Sequence, residues 1–185
     1  FKNHRAKLEK ANPKITRNEL TRMMYQEYIK GYYRLVKSVD DNVGRMLDYL
    51  DKSGLADNTL VIYTSDQGFS LGEHGFYNKQ WMYESPLHQP LLVRLPDAIK
   101  PGTVHESMVN HVDLAPTILD YAGVTVPGDM QGYSLKPILA GKTRKVRDTS
   151  YYHFYEHGKR LPEMLGVRTA THKLIHYPGM NGKYQ

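Results

Sequence analysis

Cysteine is absent from this 185-residue chain, which excludes disulfide bonds, thiolate metal sites and cysteine nucleophiles within it. Long apolar runs are absent too, and none approaches the roughly 20 residues that cross a bilayer. The first residues, Phe1–Arg5, are polar and basic with no apolar stretch behind them, so we recognise no signal peptide. The length and composition instead predict a globular chain with one buried core and no membrane partner.

The charge balance is basic. Lysine and arginine outnumber aspartate and glutamate by 25 to 19, which gives a formal net charge of +6. Such an excess suits an anionic substrate or nucleic acid, or it reflects nothing more than solvated surfaces. The basic residues are dispersed and are not interleaved with stacking aromatic residues. We therefore expect them to decorate helix faces and loops such as Lys142–Arg147, with no nucleic-acid partner.

A helical pattern begins near Met23. Apolar residues recur at spacings of three and four, which predicts one apolar face of a long amphipathic helix. The members of this face are Tyr32, Leu35, Val36, Val39, Val43, Met46, Leu47 and Leu50. Gly54 suits the left-handed residue that ends such a helix. Residues 1–22 are polar and broken at Asn12-Pro13, so we expect a surface segment there.

An apolar run of β-branched and aromatic residues, Leu60–Thr64, follows the helix. It is typical of a strand covered on both faces, as in a parallel sheet flanked by helices, and helix-turn-strand order indicates an α/β fold. A second strand, Pro90–Pro96, and a short helix with Asp113 as its N-cap are predicted next. Short strands after residue 141 predict a small antiparallel subdomain. The expected domains are therefore residues 1–22, 23–141 and 142–185.

Two oxygen-bearing side chains, Asp66 and Gln67, come directly after the first predicted strand. Ligands of open α/β sheets bind just beyond the carboxyl ends of the strands. A carboxylate and an amide oxygen suit Ca²⁺ or Mg²⁺, although Ca²⁺ takes about six to eight oxygens, so further ligands must come from elsewhere. The alternative is a turn in which Asp66 only accepts hydrogen bonds from backbone amides.

Two basic side chains lie in the glycine-rich stretch that follows. Lys79 is a compact charge that can bind a sulfate or phosphate oxygen and stabilise charge on a leaving oxygen. His74 can donate a proton or hydrogen-bond a sugar or an anionic substrate. Taken singly, Lys79 is better explained as an exposed surface residue, and His74 as a surface or structural histidine.

Read as one string, these segments resemble the sulfatase family of the alkaline-phosphatase-like superfamily. The likeness is strongest to bacterial carbohydrate sulfatases and to iduronate- and glucosamine-type sulfatases, and it runs from roughly Tyr25 to Ile175. The segments that carry it are Tyr63–Gly68, Leu71–Gly75, Lys79, Met82–Glu84, Pro90–Val93, Asn110–Asp120, Gly166–Thr169 and Lys173–Ile175.

The resemblance implies an alkaline-phosphatase-like α/β sandwich, hydrolysis of sulfate esters of carbohydrates, and a periplasmic or secreted full-length protein. It implies that Asp66 and Gln67 hold a divalent metal, with Ca²⁺ expected. By the same resemblance, Lys79 contacts the sulfate group and the bridging oxygen, and His74 lies near the substrate.

The family's nucleophile is a formylglycine made within a C/S-x-P-x-R motif, and this motif is absent from the sequence. The paired aspartates that complete the family's metal site are missing as well, since Asp40-Asp41 lies inside the helical pattern. We therefore expect the formylglycine in an upstream segment, and no sulfatase turnover by these 185 residues alone.

Two other functions stay open. One is a phosphonate or phosphate ester hydrolase of the same superfamily, and the other is a non-catalytic module that binds sulfated glycans. Four residues lie where related enzymes often shape the sugar pocket, although an ordinary strand-and-loop surface is the better explanation of each: His153, Glu156, His157 and Arg160. Trp81, the only tryptophan, suits either stacking on a sugar ring or a place in the core.

Overall fold

The computed structural model describes residues 2–155 and 161–178. Its helices are α1 (Lys2–Ala11), α2 (Arg17–Lys52), α3 (Glu84–Leu87), α4 (Leu114–Tyr121) and α5 (Lys136–Leu139). Its strands are β1 (Val61–Thr64), β2 (Ser70–Leu71), β3 (Tyr77–Asn78), β4 (Leu91–Arg94), β5 (Ser150–Phe154), β6 (Met164–Arg168) and β7 (Lys173–His176). Short 3₁₀ turns cover Ala56–Asn58, Glu73–Gly75 and His111–Asp113. No helix in this part of the chain combines the length and apolar character of a membrane span.

The chain divides into two compact units, residues 1–56 and residues 57–185. The first unit consists of α1 and α2, separated at the predicted break of Asn12-Pro13. Helix α2 begins before the predicted Met23 because Thr16 caps it. The Thr16 hydroxyl accepts from the Glu19 amide at 3.3 Å, and the Glu19 carboxylate accepts from the Thr16 amide at 2.9 Å. The hydrogen bonds that the Glu19 carboxylate accepts from the Thr16 amide and hydroxyl hold the pKa of Glu19 below its ordinary value.

The far end of α2 is as predicted, since Ser53 is the C-cap and Gly54 adopts a left-handed φ of 69°. The predicted apolar face, however, is largely uncovered in the described chain. Leu35 is 70% exposed, Met46 69% and Val39 48%, and none of the eight predicted members is buried. Leu20, which lies outside the predicted face, is the buried residue of the helix. The amphipathic pattern therefore specifies the helix, and most of its apolar residues stay in contact with solvent.

The second unit contains the strands. Strand β1 pairs with β4 in antiparallel register, with Val61 opposite Arg94 and Thr64 opposite Leu91. The α/β class is confirmed, but this pairing differs from the parallel one predicted from the apolar run. A parallel neighbour needs a crossover connection, usually a helix of some length. The four-residue α3 is the only α-helix in the described connection from β1 to β4, and β4 pairs with β1 as an antiparallel partner.

The predicted antiparallel sheet after residue 141 is present. Strands β5, β6 and β7 follow one another in an antiparallel meander, with Tyr152 opposite Gly166 and Gly166 opposite Ile175. Strands β2 and β3 form a separate two-stranded pair. The domain boundaries at residues 22 and 141 stay predictions.

The N-terminal end of α4 is fixed by a buried carboxylate. Asp113 is at the N-cap position as predicted, but its side chain makes no cap hydrogen bond. It accepts instead from the amides of Asn110 and Tyr133 and from two nitrogens of Arg147. Burial raises the pKa of Asp113, yet the bonds from Arg147 and the two amides outweigh burial, and the pKa is lowered overall.

The position of Arg147 shows that the prediction of a fully solvated basic loop was wrong for this residue. The loop 142–147 was expected to carry only solvated basic residues, but the Arg147 side chain is 10% exposed and pairs with Asp113. Thr117 extends the same network, because its hydroxyl donates to the Asp113 carbonyl at 2.6 Å and accepts from the Leu135 amide at 2.8 Å. Helix α4 is thereby joined to the segment that leads into α5.

Candidate functional site

The end of β1 presents Asp66 and Gln67 in a tight polar turn. The Ser65 hydroxyl donates to the Gln67 carbonyl at 2.8 Å and lies 3.4 Å from the Asp66 carboxylate. Asp66 is exposed, and in the described chain this long contact is its only hydrogen bond. The carboxylate therefore does not serve as a backbone cap, and its oxygens are open to another ligand.

His111 supports this turn from a distant part of the sequence. Its Nε2 lies 2.6 Å from the Ser65 carbonyl, and its Nδ1 lies 3.2 Å from the Gln89 side-chain nitrogen. Because a carbonyl only accepts, Nε2 carries the hydrogen and Nδ1 accepts from Gln89. The backbone immediately before Asp66 is thus held by the His111 ring, a contact that no sequence spacing indicated.

Gly68 brings the turn against α3. Its amide donates to the Pro86 carbonyl at 2.8 Å, and a Cβ at this position would lie 1.9 Å from the Ser85 carbonyl oxygen. The Ser70 and Ser85 hydroxyls add a hydrogen bond of 3.1 Å. Only glycine allows this approach, since the atoms that a side chain would meet belong to the backbone.

His74 occupies a strained turn between Gly72 and Gly75. Its φ of 56° lies in the left-handed region, which is uncommon for residues other than glycine. The ring stacks on Tyr83 with a centroid distance of 4.8 Å and an interplanar angle of 21°. His74 is exposed, so the stacking orients the ring without covering it.

Lys79 lies between β3 and α3. Its amide donates to the Asn78 side-chain oxygen at 2.9 Å, and Gln80 after it adopts a φ of 83°. Among residues 2–155 and 161–178, no carboxylate pairs with the Lys79 ammonium group. The ammonium group is available to an anion from outside this part of the chain.

All four predicted site residues thus lie on the connection between β1 and β4. Within the described residues no hydrogen bond joins the Asp66–Gln67 pair to Lys79 or His74, and no group of three or more His, Asp or Glu side chains could hold a metal by itself. Their donor chemistry fits a hard cation, but they supply only two ligands of a complete site. The roles of the four residues stay predictions.

The remaining candidates are divided. Trp81 packs within an aromatic cluster, 5.2 Å from Phe76 and 6.3 Å from Tyr83 between ring centroids. His153 makes a 2.8 Å contact with Glu163. Glu156, His157 and Arg160 lie outside the described residues.

A cleft of about 710 Å³ lies in the first unit and contains none of the predicted site residues. It is lined by Ala11, Asn12, Pro13, Lys14, Ile15, Glu19, Arg22 and Met23. The polar turn after β1 is therefore the stronger site candidate, because it concentrates ligand-type side chains in a fixed backbone.

Comparison with known proteins places this geometry in context. A curated N-acetylglucosamine-6-O-sulfatase from Bacteroides thetaiotaomicron is 49% identical over 158 residues, which cover 83% of this chain and 28% of the relative. A structure solved in complex with its substrate D-glucosamine-2-N,6-O-disulfate superimposes with a TM-score of 0.87 and 44% identity, covering 94% of this chain and 36% of that one. A phosphonate monoester hydrolase from Silicibacter pomeroyi superimposes with a TM-score of 0.76 and 29% identity, covering 89% and 35%.

The chain thus spans about a third of the length of these relatives. The sequence model of the family described as Sulfatase matches residues 2–124. The model described as N-sulphoglucosamine sulphohydrolase, C-terminal, matches residues 72–185. Each match covers more than half of the residues, and the chain belongs to the sulfatase family.

Proposed function

We propose that the protein of which this chain is a part hydrolyses sulfate esters of a sulfated amino sugar. The observation that carries the proposal is that a carboxylate and an ammonium group, both available to a ligand, lie on the same connection between two strands. The Asp66 carboxylate and the Lys79 ammonium group both lack an ion-pair partner among the described residues, and both lie between β1 and β4. The names of the 49% and 44% identical relatives support a glucosamine sulfate as the substrate.

Asp66 and Gln67 are proposed to hold a divalent metal. The sulfatase family depends on such a metal and on formylglycine. We favour Ca²⁺, because both side chains offer oxygen atoms and neither residue is a histidine or cysteine. When bound, such an ion neutralises negative charge on the sulfate group. His111 and Ser65 keep the backbone of this pair in place.

Lys79 is proposed to bind a sulfate oxygen and to stabilise negative charge on the leaving oxygen. Such a charge acts most strongly where it is aimed before the reaction begins. His74, oriented by Tyr83, is proposed to contact the sugar or the sulfate. The formylglycine nucleophile is proposed to lie in an upstream segment, because the C/S-x-P-x-R motif is absent from these 185 residues. We also propose a periplasmic or secreted location for the full-length protein, by family resemblance.

The direct test uses the full-length protein and glucosamine-6-sulfate, with released sulfate measured by ion chromatography. Lys79→Ala is expected to lower kcat/KM by at least a hundredfold. Lys142→Ala, an exposed lysine in a loop, is the matched control and should keep the original value. Unchanged sulfate release by Lys79→Ala would show that this site does not carry the activity.

A phosphonate or phosphate ester hydrolase of the same superfamily is the second candidate, although the relatives with higher identity are named for sulfated glucosamine. Metal analysis separates the two, since one Ca²⁺ per protein supports the sulfatase and a pair of transition metals supports the phosphonate or phosphate ester hydrolase. A non-catalytic glycan-binding module is the third. It predicts binding of heparin fragments that weakens in Lys79→Ala, without any release of sulfate.

A further inference from the structure

Tyr152 on β5 reaches the residue that follows Lys79. Its hydroxyl donates to the Gln80 carbonyl at 2.5 Å, across 72 positions of sequence. Tyr152 is half-buried, and burial raises the pKa of its phenol, so the hydroxyl keeps the hydrogen that it donates. The bond therefore joins the C-terminal sheet to the loop that carries the proposed sulfate-binding lysine.

The bond acts on a strained residue. Gln80 has a φ of 83°, a conformation that side-chain-bearing residues rarely adopt. Such conformations persist only where surrounding contacts hold them, and they cluster at functional sites. Here the restraining contact is the hydroxyl of Tyr152, and the residue whose direction depends on the Gln80 backbone is Lys79.

The next residue but one anchors the same loop. Met82 is 1% exposed and packs on Gly166 of β6, where a Cβ would lie 1.8 Å from the Met82 sulfur. The Lys173 ammonium group on β7 donates to the Met82 carbonyl at 3.0 Å. The segment from Gln80 to Met82 thus contacts three successive strands, β5, β6 and β7. Because Met82 is fixed, a change in the Gln80 backbone would be transmitted toward Lys79.

We propose that Tyr152 is a positioning residue for Lys79: its hydrogen bond to the Gln80 carbonyl holds the left-handed backbone that directs the lysine toward the sulfate. This inference rests on the proposed function. It assigns to the C-terminal sheet a part in sulfate recognition that does not require any of its side chains to touch the substrate.

The test compares Tyr152→Phe with Tyr151→Phe in the full-length protein. Tyr151 is the neighbouring tyrosine on the opposite face of β5 and is 81% exposed, which makes it the matched control. Tyr152→Phe is expected to raise KM for the sulfated substrate and to lower kcat, reducing kcat/KM about tenfold, whereas Tyr151→Phe changes neither. The kcat of each variant is calculated from the concentration of folded protein. Original kcat and KM in folded Tyr152→Phe would reduce Tyr152 to a structural residue and overturn the proposal.

A second pair of variants acts on Gln80 itself. Glycine adopts a φ of 83° without strain, so Gln80→Gly added to Tyr152→Phe should restore most of the lost kcat/KM. Gln80→Val, in the otherwise unchanged protein, should lower kcat/KM like Tyr152→Phe, because a β-branched residue opposes positive φ. It also serves if Tyr152→Phe fails to fold. No restoration by glycine, or full activity with valine, would contradict the role given to Gln80.

These results are distinguishable from failure of the proposed function. If Lys79→Ala keeps full turnover, the proposed sulfate-binding role of Lys79 is wrong, and Tyr152 has no catalytic lysine to position. If Lys79→Ala abolishes turnover while Tyr152→Phe and Gln80→Val keep it, the site stands and this inference alone is wrong.

Discussion

Arg147 grips the buried carboxylate of Asp113 with two hydrogen bonds of 2.5 Å each. The pair lies 34 positions apart in sequence, and both side chains are almost entirely removed from solvent. Parallel bonds of this kind match the planar guanidinium to the two carboxylate oxygens. The contact links the start of α4 to the segment before β5.

The first prediction concerns this pair. Arg147→Ala leaves the Asp113 carboxylate buried with only its two amide partners, so we expect the free energy of unfolding to fall by about 3–5 kcal/mol. Urea denaturation of the full-length protein measures the change. Lys145→Ala is the control, because Lys145 pairs with Asp148 at the exposed surface, and its loss should cost less than about 1 kcal/mol. Equal effects of the two variants would refute the importance of burial.

The second prediction concerns the packing of Met82 on Gly166. Gly166→Ala introduces a Cβ that would lie 1.8 Å from the Met82 sulfur and 3.1 Å from the Leu174 carbonyl oxygen. Methionine is flexible, so it moves aside, and we expect a loss of about 1–3 kcal/mol in unfolding free energy. Gly128→Ala, which meets nothing within 4 Å, is the control. If Gly166→Ala is as stable as Gly128→Ala, the contact does not constrain the loop.

The third prediction concerns pH. Hydrogen bonds from Arg168 and Lys173 lower the pKa of Glu84 to about 2, from an ordinary value of 4.5. The ionised carboxylate therefore stabilises the fold fully above about pH 4.5, and this contribution disappears as the pH falls toward 2. Because Glu84 is more than half exposed, we expect solvent to limit the contribution to about 1 kcal/mol.

Glu84→Gln tests the sign of this dependence. The variant should be less stable than the unchanged protein at pH 7, and the difference should shrink progressively below pH 4.5. Unfolding free energies from urea titrations at a series of pH values give the comparison. A difference that grows as the solution is acidified would mean that Glu84 is not stabilised in its ionised form.

The fourth prediction concerns His111 and the proposed metal pair. His111→Ala removes the donor to the Ser65 carbonyl, and residues that orient metal ligands commonly alter affinity by about 10- to 100-fold. We therefore expect Ca²⁺ to bind the full-length protein at least tenfold more weakly, as measured by isothermal titration calorimetry. His105→Ala removes an exposed histidine and is the control. Identical affinities in both variants would separate His111 from the metal site.

Local patterns in the sequence predicted the parts of the fold that depend on local forces. The three- and four-residue spacing gave α2, and Gly54 marks its end with a φ of 69°. The start of α2 was misplaced, although the signal is present: Thr16 followed three residues later by Glu19 is a capping box. Strands β5 to β7 pair antiparallel as predicted.

Contacts between residues far apart in the sequence could not be predicted from such local patterns. Periodicity shows which face of an element is apolar, but it does not identify the partner. The antiparallel pairing of β1 with β4, the burial of Arg147 and the bond from Tyr152 to Gln80 are all of this kind. The predicted roles of Asp66, Gln67, Lys79 and His74 came from family resemblance, because each residue taken alone is better explained by an ordinary turn or surface position.

The uncovered apolar residues of α2 have a practical consequence for anyone who purifies these 185 residues as an isolated polypeptide. Leu35, Met46 and Tyr49 expose apolar side chains along a helix of 36 residues. Exposed apolar patches of this kind promote association between protein molecules. Such a preparation should bind hydrophobic dyes strongly and form oligomers that grow with concentration. Detergent would be the first remedy to try.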